Sequence, residues 1–200
     1  MLEYQFILSV AIFAVAMTGT PGPNNMMLTA SGANFGYWRS LPHIVGIGLG
    51  VVVLILLMSA GLGAVFQKFP IVQEVLKWIS SAYLLFLAWK IGSAPAPEQH
   101  DARVARPMTL IQAATFQFVN PKAWAMAITA IGSFTLGGDQ YWLSALMIAL
   151  VFWVVGFPCI SLWTGFGTLI GKAIRSPGQW RVFNGVMGFA TASCLLFIWT

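Results

Sequence analysis

The chain has 200 residues, of which 58% are hydrophobic and only 8% are charged, and its net charge is +5. An ordinary soluble domain carries roughly 25% charged residues, so this chain lacks the polar side chains needed to cover a water-facing surface. The composition therefore excludes a soluble globular enzyme, a disordered protein and a fibrous protein, and it predicts an all-α membrane protein.

Six apolar runs, each long enough to span a bilayer, follow one another along the chain. They cover residues 4–30, 43–66, 71–91, 110–136, 141–167 and 180–199. A segment rich in proline, alanine and charge separates the third run from the fourth and is typical of a linker. The sequence predicts a first group of three helices in residues 1–91, a linker at 92–107 and a second group of three in residues 108–200.

The basic residues predict how the chain is oriented in the membrane. The loops after spans 1, 3 and 5 contain Arg39, Lys90, Arg103, Arg106, Lys172, Arg175 and Arg181. The other loops contain only Lys68 and Lys77. Because cytoplasmic loops are enriched in Lys and Arg, we expect the linker in the cytoplasm and both termini outside it. The basic residues form no dense patch with interleaved aromatics, so we expect no nucleic-acid partner.

The first span of each half is interrupted by proline. The interruptions are Thr20–Pro21–Gly22–Pro23–Asn24–Asn25 in span 1 and Asn120–Pro121–Lys122 in span 4. Since three spans per half is an odd number, the second half has to be inverted relative to the first. Proline-interrupted spans at matching positions of inverted halves indicate the binding site of a secondary transporter. The predicted fold is six transmembrane helices in two inverted three-helix repeats, with helices 1 and 4 broken.

The interruption in span 1 leaves backbone carbonyls without partners. Pro21 and Pro23 have no N–H group, so the carbonyls near Met17 and Gly19 lose their helical donors. Such carbonyls are tolerated within a bilayer only inside protein or beside a water-filled cavity. Residues 20–25 therefore either face a polar binding site or form a simple kink or helix end near the interface.

Lys122 is the only charged residue in the fourth apolar run. A lysine within the membrane is expected to face the helix bundle or a cavity, where its ammonium group can pair with a substrate carboxylate. The alternative is a lysine that extends to the interface from a shorter span. Trp124, two residues further on, either lines the same site or packs in the core.

Glycines spaced by four residues lie on spans 2 and 5. These are Gly46 and Gly50, and Gly167 and Gly171. Small residues at this spacing predict close contact between helices, and surfaces that rock against each other are the alternative.

Two further residues lie near predicted span ends. His43 begins span 2 beside Pro42, where we expect a solvated histidine, with proton handling as the alternative. Trp163 lies near the end of span 5, as most tryptophans of the chain lie near span ends, and we expect it at the membrane interface.

Catalytic and cofactor-binding groups are missing from the sequence. No carboxylate lies well inside any span, and there is no nucleotide-binding motif. We expect no enzyme activity, no metal, no cofactor and no direct use of ATP.

Three motifs, in order and correctly spaced over nearly the whole chain, resemble the LysE/RhtB family of amino acid exporters. They are TPGPNN from Thr20, EVLKWISSAYLLFLAWK from Glu74 and QFVNPKAW from Gln117. The resemblance is greatest to the branch that exports cysteine and O-acetylserine. It implies proton-driven efflux of amino acids across the bacterial inner membrane. By position, residues 21–24 correspond to the family's first motif and residues 120–122 to its second.

Many family members have an acidic residue where this chain has Asn24. An amide neither carries a proton nor pairs with a cationic side chain, so we expect a small neutral substrate rather than lysine or arginine. Cysteine or O-acetylserine, and threonine or homoserine, fit this expectation. The helix starting near Asn24, together with Lys122, would bind the substrate carboxylate, and freed carbonyls with Asn24 and Asn120 would bind its ammonium group.

The alternatives to an exporter are a non-transporting membrane assembly or chaperone subunit and, third, a membrane enzyme. The expected partners of the exporter are an amino acid, protons and the lipid bilayer. The oligomeric state is left open, with a homo-oligomer among the options.

Overall fold

The computed structural model describes residues 4–63, 68–95 and 106–199, and every regular element within these ranges is helical. The first group comprises α1 (Tyr4–Gly19), α2 (Pro23–Phe35), α3 (Tyr37–Leu57), which continues into a π-helical turn (Met58–Leu62), and α4 (Pro70–Gly92). The second comprises α5 (Leu110–Phe116) with a 3-10 turn (Gln117–Val119), α6 (Pro121–Phe134), a 3-10 turn (Gly138–Gln140), α7 (Tyr141–Ala173), α8 (Pro177–Ser193) and α9 (Leu196–Trp199). Most of the predicted linker, residues 96–105, lies outside the described residues.

Both predicted interruptions are present. The chain bends by 61° between α1 and α2, and Asn120 separates the turn after α5 from α6. Pro23 and Pro121 are each the first residue of the helix that follows. Proline is favoured there because its fixed φ suits a helix. It also lacks an N–H group, and in the first turn a backbone N–H has no acceptor within the helix.

The described helices are consistent with a protein that crosses a membrane. Among them, Tyr37–Leu62, Glu74–Gly92 and Gly138–Ala173 are each long and apolar enough to span, and the bent pair α1–α2 qualifies as a further, broken span. The helices α5, α6 and α8 are shorter. The structure thus supports a helical membrane protein, and the arrangement of six spans in two inverted repeats remains a prediction.

The side chains are distributed as expected for a bundle in lipid. On α7, Leu143, Leu146, Leu150 and Val154 recur at intervals of three and four residues and are exposed. Ser144, next to Leu143, is fully buried. Apolar side chains therefore face outward and polar ones face other helices, which is the arrangement favoured where the surroundings are apolar.

Close packing of α2 on α7 depends on glycine. A Cβ atom built on Gly167 would lie 2.1 Å from the backbone oxygen of Thr29, and one on Gly171 would lie 2.4 Å from that of Ala33. No real side chain tolerates such distances, so only glycine permits these backbones to meet. At Gly167 and Gly171 the two helices are thus in backbone contact.

The glycine pair on α3 has the same role against α5. A Cβ atom on Gly46 would lie 2.3 Å from the backbone oxygen of Leu110, and one on Gly50 would lie 2.5 Å from that of Ala114. The beginning of the second group of helices therefore lies in backbone contact with α3.

Helix α3 begins earlier than the apolar run that predicted it. The turn between α2 and α3 is a single residue, Gly36, whose φ of 81° lies in the left-handed region that favours glycine. Because α3 starts at Tyr37, His43 lies roughly two turns inside the helix. The expectation of a solvated histidine was wrong: His43 is only 1% exposed.

Candidate functional site

The carbonyls predicted to lose their helical donors at the first break each accept a side-chain hydrogen bond. The Thr20 hydroxyl donates to the Met17 oxygen at 3.3 Å, and the indole Nε1 of Trp163 donates to the Gly19 oxygen at 3.1 Å. Trp163 is therefore not simply an interfacial side chain, as the sequence suggested, since it reaches from α7 into the break. Its polar N–H on an otherwise apolar ring suits this position.

Asn25 fixes the bend from within α2. Its side chain is 3% exposed, and its Nδ2 donates to the carbonyl oxygens of Thr18, at 2.9 Å, and Thr20, at 2.7 Å. In an apolar environment the Thr18 carbonyl would otherwise be unsatisfied, whereas the Thr20 carbonyl also accepts from Lys122. One amide therefore stabilises both sides of the 61° bend.

Lys122 connects the second break to the first. Its Nζ donates to the Thr20 carbonyl at 2.8 Å, the Thr20 hydroxyl at 2.8 Å and the Pro21 carbonyl at 3.2 Å. The lysine therefore points into the other break, as expected of a charged group that avoids lipid. Residues more than a hundred positions apart, on two interrupted spans, meet through one ammonium group.

Gly22 provides the space that the lysine occupies. A Cβ atom at this position would lie 2.8 Å from Cδ and 3.1 Å from Nζ of Lys122. The φ of Gly22 is −178°, an extended conformation that any residue adopts. Glycine at this position therefore leaves space for the present position of the Lys122 side chain, and backbone freedom is not what it provides.

A cluster of amides, of which Gln117 and Asn120 are buried and Asn24 is half-buried, lies beside the ammonium group. Asn24 and Gln117 are paired reciprocally, with Nδ2 donating to Oε1 at 2.8 Å and Nε2 donating to Oδ1 at 3.2 Å. Asn120 donates to the same Gln117 oxygen at 3.4 Å, and its own Oδ1 caps α6 by accepting from the Lys122 N–H at 3.1 Å. Gln117 is fully buried. The sequence analysis did not include it among the site residues, although a glutamine within an apolar run, three residues before Asn120, could have indicated it.

The predicted residues do not all come together. Residues 22–25, Asn120 and Lys122 surround a void between the breaks, with Thr20 and Pro21 bonded to the lysine beside it. Pro121 starts α6. Trp124 does not line the void. It packs against the core and donates to the Phe118 carbonyl at 2.9 Å, so the structure favours packing over a binding role. His43 also lies elsewhere, on a separate cavity.

The void between the breaks is small. Its volume is about 40 Å³, close to the space that a single water molecule occupies. An amino acid is several times larger than water, so the two breaks are closed around each other in this structure. Binding of a larger molecule there requires the half-helices to separate.

Comparison with known proteins identifies the family. The family model described as LysE type translocator matches residues 15–194, which is most of the chain. The chain belongs to the LysE type translocator family. This confirms the resemblance carried by the three sequence motifs. As a member of this family, the chain is a membrane transport protein and not an enzyme.

Curated relatives of this LysE type translocator bear the name cysteine/O-acetylserine efflux protein. One from Salmonella typhimurium strain LT2 is 29% identical over 179 residues, which cover 90% of each chain. Another from Escherichia coli strain K12 is 28% identical over the same share of both chains. No solved structure shows a significant match.

Proposed function

We propose that this LysE type translocator exports small neutral amino acids or their derivatives across the bacterial inner membrane, driven by the proton gradient. Substrates of the cysteine and O-acetylserine type are favoured by the relatives' names, with threonine or homoserine as the other possibility. The amide at Asn24, bonded to another neutral amide, agrees with a neutral substrate. The observation that carries the proposal is the meeting of both breaks at Lys122.

In this proposal the substrate binds where the two breaks meet, after they separate. Its carboxylate pairs with Lys122 and with the N-terminus of α2. Among the described residues, the backbone N–H groups of Asn24 and Asn25 have no hydrogen-bond partner, so they are free to donate. The positive end of the helix dipole also favours an anion at this position.

The substrate ammonium group would take the acceptors that Lys122 now occupies. The Thr20 and Pro21 carbonyls and the amide oxygens of Asn24 and Asn120 are all within this cluster. Alternating access would then open the breaks to one side of the membrane at a time. The same proposal includes the inverted repeats, the cytoplasmic linker and the external termini that the sequence predicts. Its candidate for handling the proton is His43.

The test is uptake into everted membrane vesicles, which expose the cytoplasmic face. Labelled cysteine, O-acetylserine, threonine, homoserine and lysine are compared with and without an uncoupler. We expect uncoupler-sensitive accumulation of a small neutral compound. Accumulation of lysine instead would contradict the argument from Asn24, and no flux from vesicles with verified protein and gradient would favour the non-transporting subunit.

Lys122→Ala tests the residue on which the site depends. We expect uptake to be lost while the protein level stays unchanged. The Lys122 ammonium group is the partner both of the substrate carboxylate in this proposal and of the carbonyls at the first break. Lys172→Ala is the matched control, since Lys172 is an exposed lysine in the last turn of α7. Unchanged uptake in the Lys122 variant would remove this residue from the mechanism.

A further inference from the structure

A cavity of about 700 Å³ lies beside the linker, apart from the helix breaks. It is bounded by the second half of α2, by α3 at His43, by the end of α4 with residues 93–95, and by residues 106–112. This volume is typical of a small-molecule site. Because it adjoins the linker, it lies on the side that the sequence places in the cytoplasm.

The lining of this cavity, here called the linker-side cavity, is positively charged. Lys90 at the end of α4 and Arg106 before α5 both line it and are both exposed, so a solute can reach them. Among the described residues of the lining none is acidic. An anionic group entering the cavity therefore meets two cations and no described carboxylate competes for them.

Buried polar atoms without partners lie in the wall of the same cavity. Neither ring nitrogen of His43 has a hydrogen-bond partner among the described residues, and neither has Oδ1 of Asn34. The Nδ2 of Asn34 is held by the Ala30 carbonyl at 2.9 Å and by Oδ1 of Asn184 at 3.1 Å, which fixes the amide. Unpartnered buried groups are costly, so this wall favours a polar ligand.

Two stretches of chain lead from the linker-side cavity to the region of the breaks. On α2 its residues follow Asn24, and on α5 its residues precede Gln117. In chain order, the reciprocal amide pair of Asn24 and Gln117 lies at the void end of both stretches, and Asn24 itself lines the void.

We propose that the linker-side cavity is a first binding site for the transported amino acid, distinct from the site at the breaks. Lys90 and Arg106 bind its carboxylate, and Asn34 and His43 form the wall that receives its ammonium and polar groups. This inference rests on the proposed function, since it takes the exported amino acid as the ligand.

Binding and transport are measured separately to test it. The full chain in nanodiscs of neutral phosphatidylcholine is titrated with O-acetylserine, cysteine, threonine and homoserine, and with serine carboxamide as the comparator without a carboxylate. Uptake KM is measured in everted vesicles for the compound transported. The variants are Lys90→Gln, Arg106→Gln and Asn34→Leu, with Lys172→Gln as the control for an exposed cation outside the cavity.

We expect Lys90→Gln and Arg106→Gln each to raise Kd and KM about tenfold, as befits the loss of a charge-assisted hydrogen bond, with Lys172→Gln unchanged. The wild-type preference for the amino acid over the carboxamide should fall by the same factor. A merely structural defect would weaken both ligands equally and would overturn the proposal. Thermal unfolding identifies variants that are misfolded. If Asn34→Leu does not fold, the Lys90→Gln and Arg106→Gln variants still decide the test, because both side chains are exposed.

The remaining outcomes are also decisive. Unchanged Kd and KM in both cation variants, with intact wild-type uptake, would overturn the cavity site and leave the exporter standing. Binding that depends on Lys90 and Arg106 without any uptake would leave the site standing and overturn the exporter. No binding of any amino acid would overturn the site. If Lys90→Gln and Arg106→Gln lower uptake only in vesicles that contain phosphatidylglycerol, the cavity binds an anionic lipid headgroup instead of the amino acid.

Discussion

Replacing Gly167 by alanine perturbs the contact between α2 and α7 at a single methyl group. The new Cβ would lie 2.1 Å from the Thr29 oxygen, where ordinary contact begins at 3.4 Å. The neighbour is backbone, so it cannot rotate away, and the helices have to separate by roughly 1 Å. Overpacking of this kind costs about 2 kcal/mol, which corresponds to a fall in Tm of roughly 4–8 °C for a chain of this size.

Gly165→Ala is the matched control for this prediction. Gly165 lies on the same helix, and a Cβ atom there meets nothing within 4 Å. Both substitutions gain the helix propensity of alanine, so the difference between them isolates the contact with Thr29. Unfolding is followed in detergent with a thiol-reactive dye in a Cys159→Ser background, because Cys194 is buried in the folded chain whereas Cys159 is only half-buried. Equal Tm values for the two variants would refute the assignment of a backbone contact at Gly167.

Two further predictions concern the donors that satisfy the first break. Asn25→Ala removes both hydrogen bonds of its amide and should cost about 2 kcal/mol, which lowers Tm by roughly 4–8 °C. A Tm within the error of wild type would mean that the Thr18 carbonyl finds another donor, since the Thr20 carbonyl also accepts from Lys122. Trp163→Phe keeps an aromatic ring but removes the pyrrole part of the indole together with the N–H that donates to the Gly19 carbonyl, so a loss of about 1–2 kcal/mol and roughly 2–8 °C is expected. The same dye assay measures both variants, and an unchanged Tm for Trp163→Phe would contradict a role for its N–H at the break.

The breaks were predictable because their cause is local. Pro21 and Pro23 remove specific hydrogen bonds whatever surrounds them, and the carbonyls of Met17 and Gly19 accept side-chain donors instead. The glycine contacts were predictable for a similar reason, since a four-residue spacing places both glycines on one helix face. In both cases a few neighbouring residues decide the outcome.

The start of α3 was not predictable from hydropathy. Residues 37–42 include polar side chains and lie before the apolar run, yet they are helical. Hydropathy indicates which part of a helix lies in lipid. The helix can extend beyond that part where its polar side chains find hydrogen-bond partners. Ser40 illustrates this, because it is fully buried and its hydroxyl lies 2.7 Å from that of Ser31. His43 was placed wrongly for this reason.

The partners across the bundle could not be derived from the sequence. Gln117 pairs with Asn24, 93 residues earlier, and no local pattern specifies that meeting. Lys90 and Arg106 were counted only as loop charges that set the orientation, although they line one cavity. Such sites depend on which helices pack together, and this is determined by the whole fold.

The hydrogen bonds of the first break have a consequence for how the protein is made. The Gly19 carbonyl receives its donor from Trp163, 144 residues later, and the Pro21 carbonyl receives its donor from Lys122, 101 residues later. When the first helices enter the membrane during synthesis, neither donor has been translated. Because Pro21 and Pro23 prevent a continuous helix from satisfying the backbone, the nascent break has to stay in contact with water or the insertion machinery until α6 and α7 arrive. Completion of the first span is thus a late step of biogenesis.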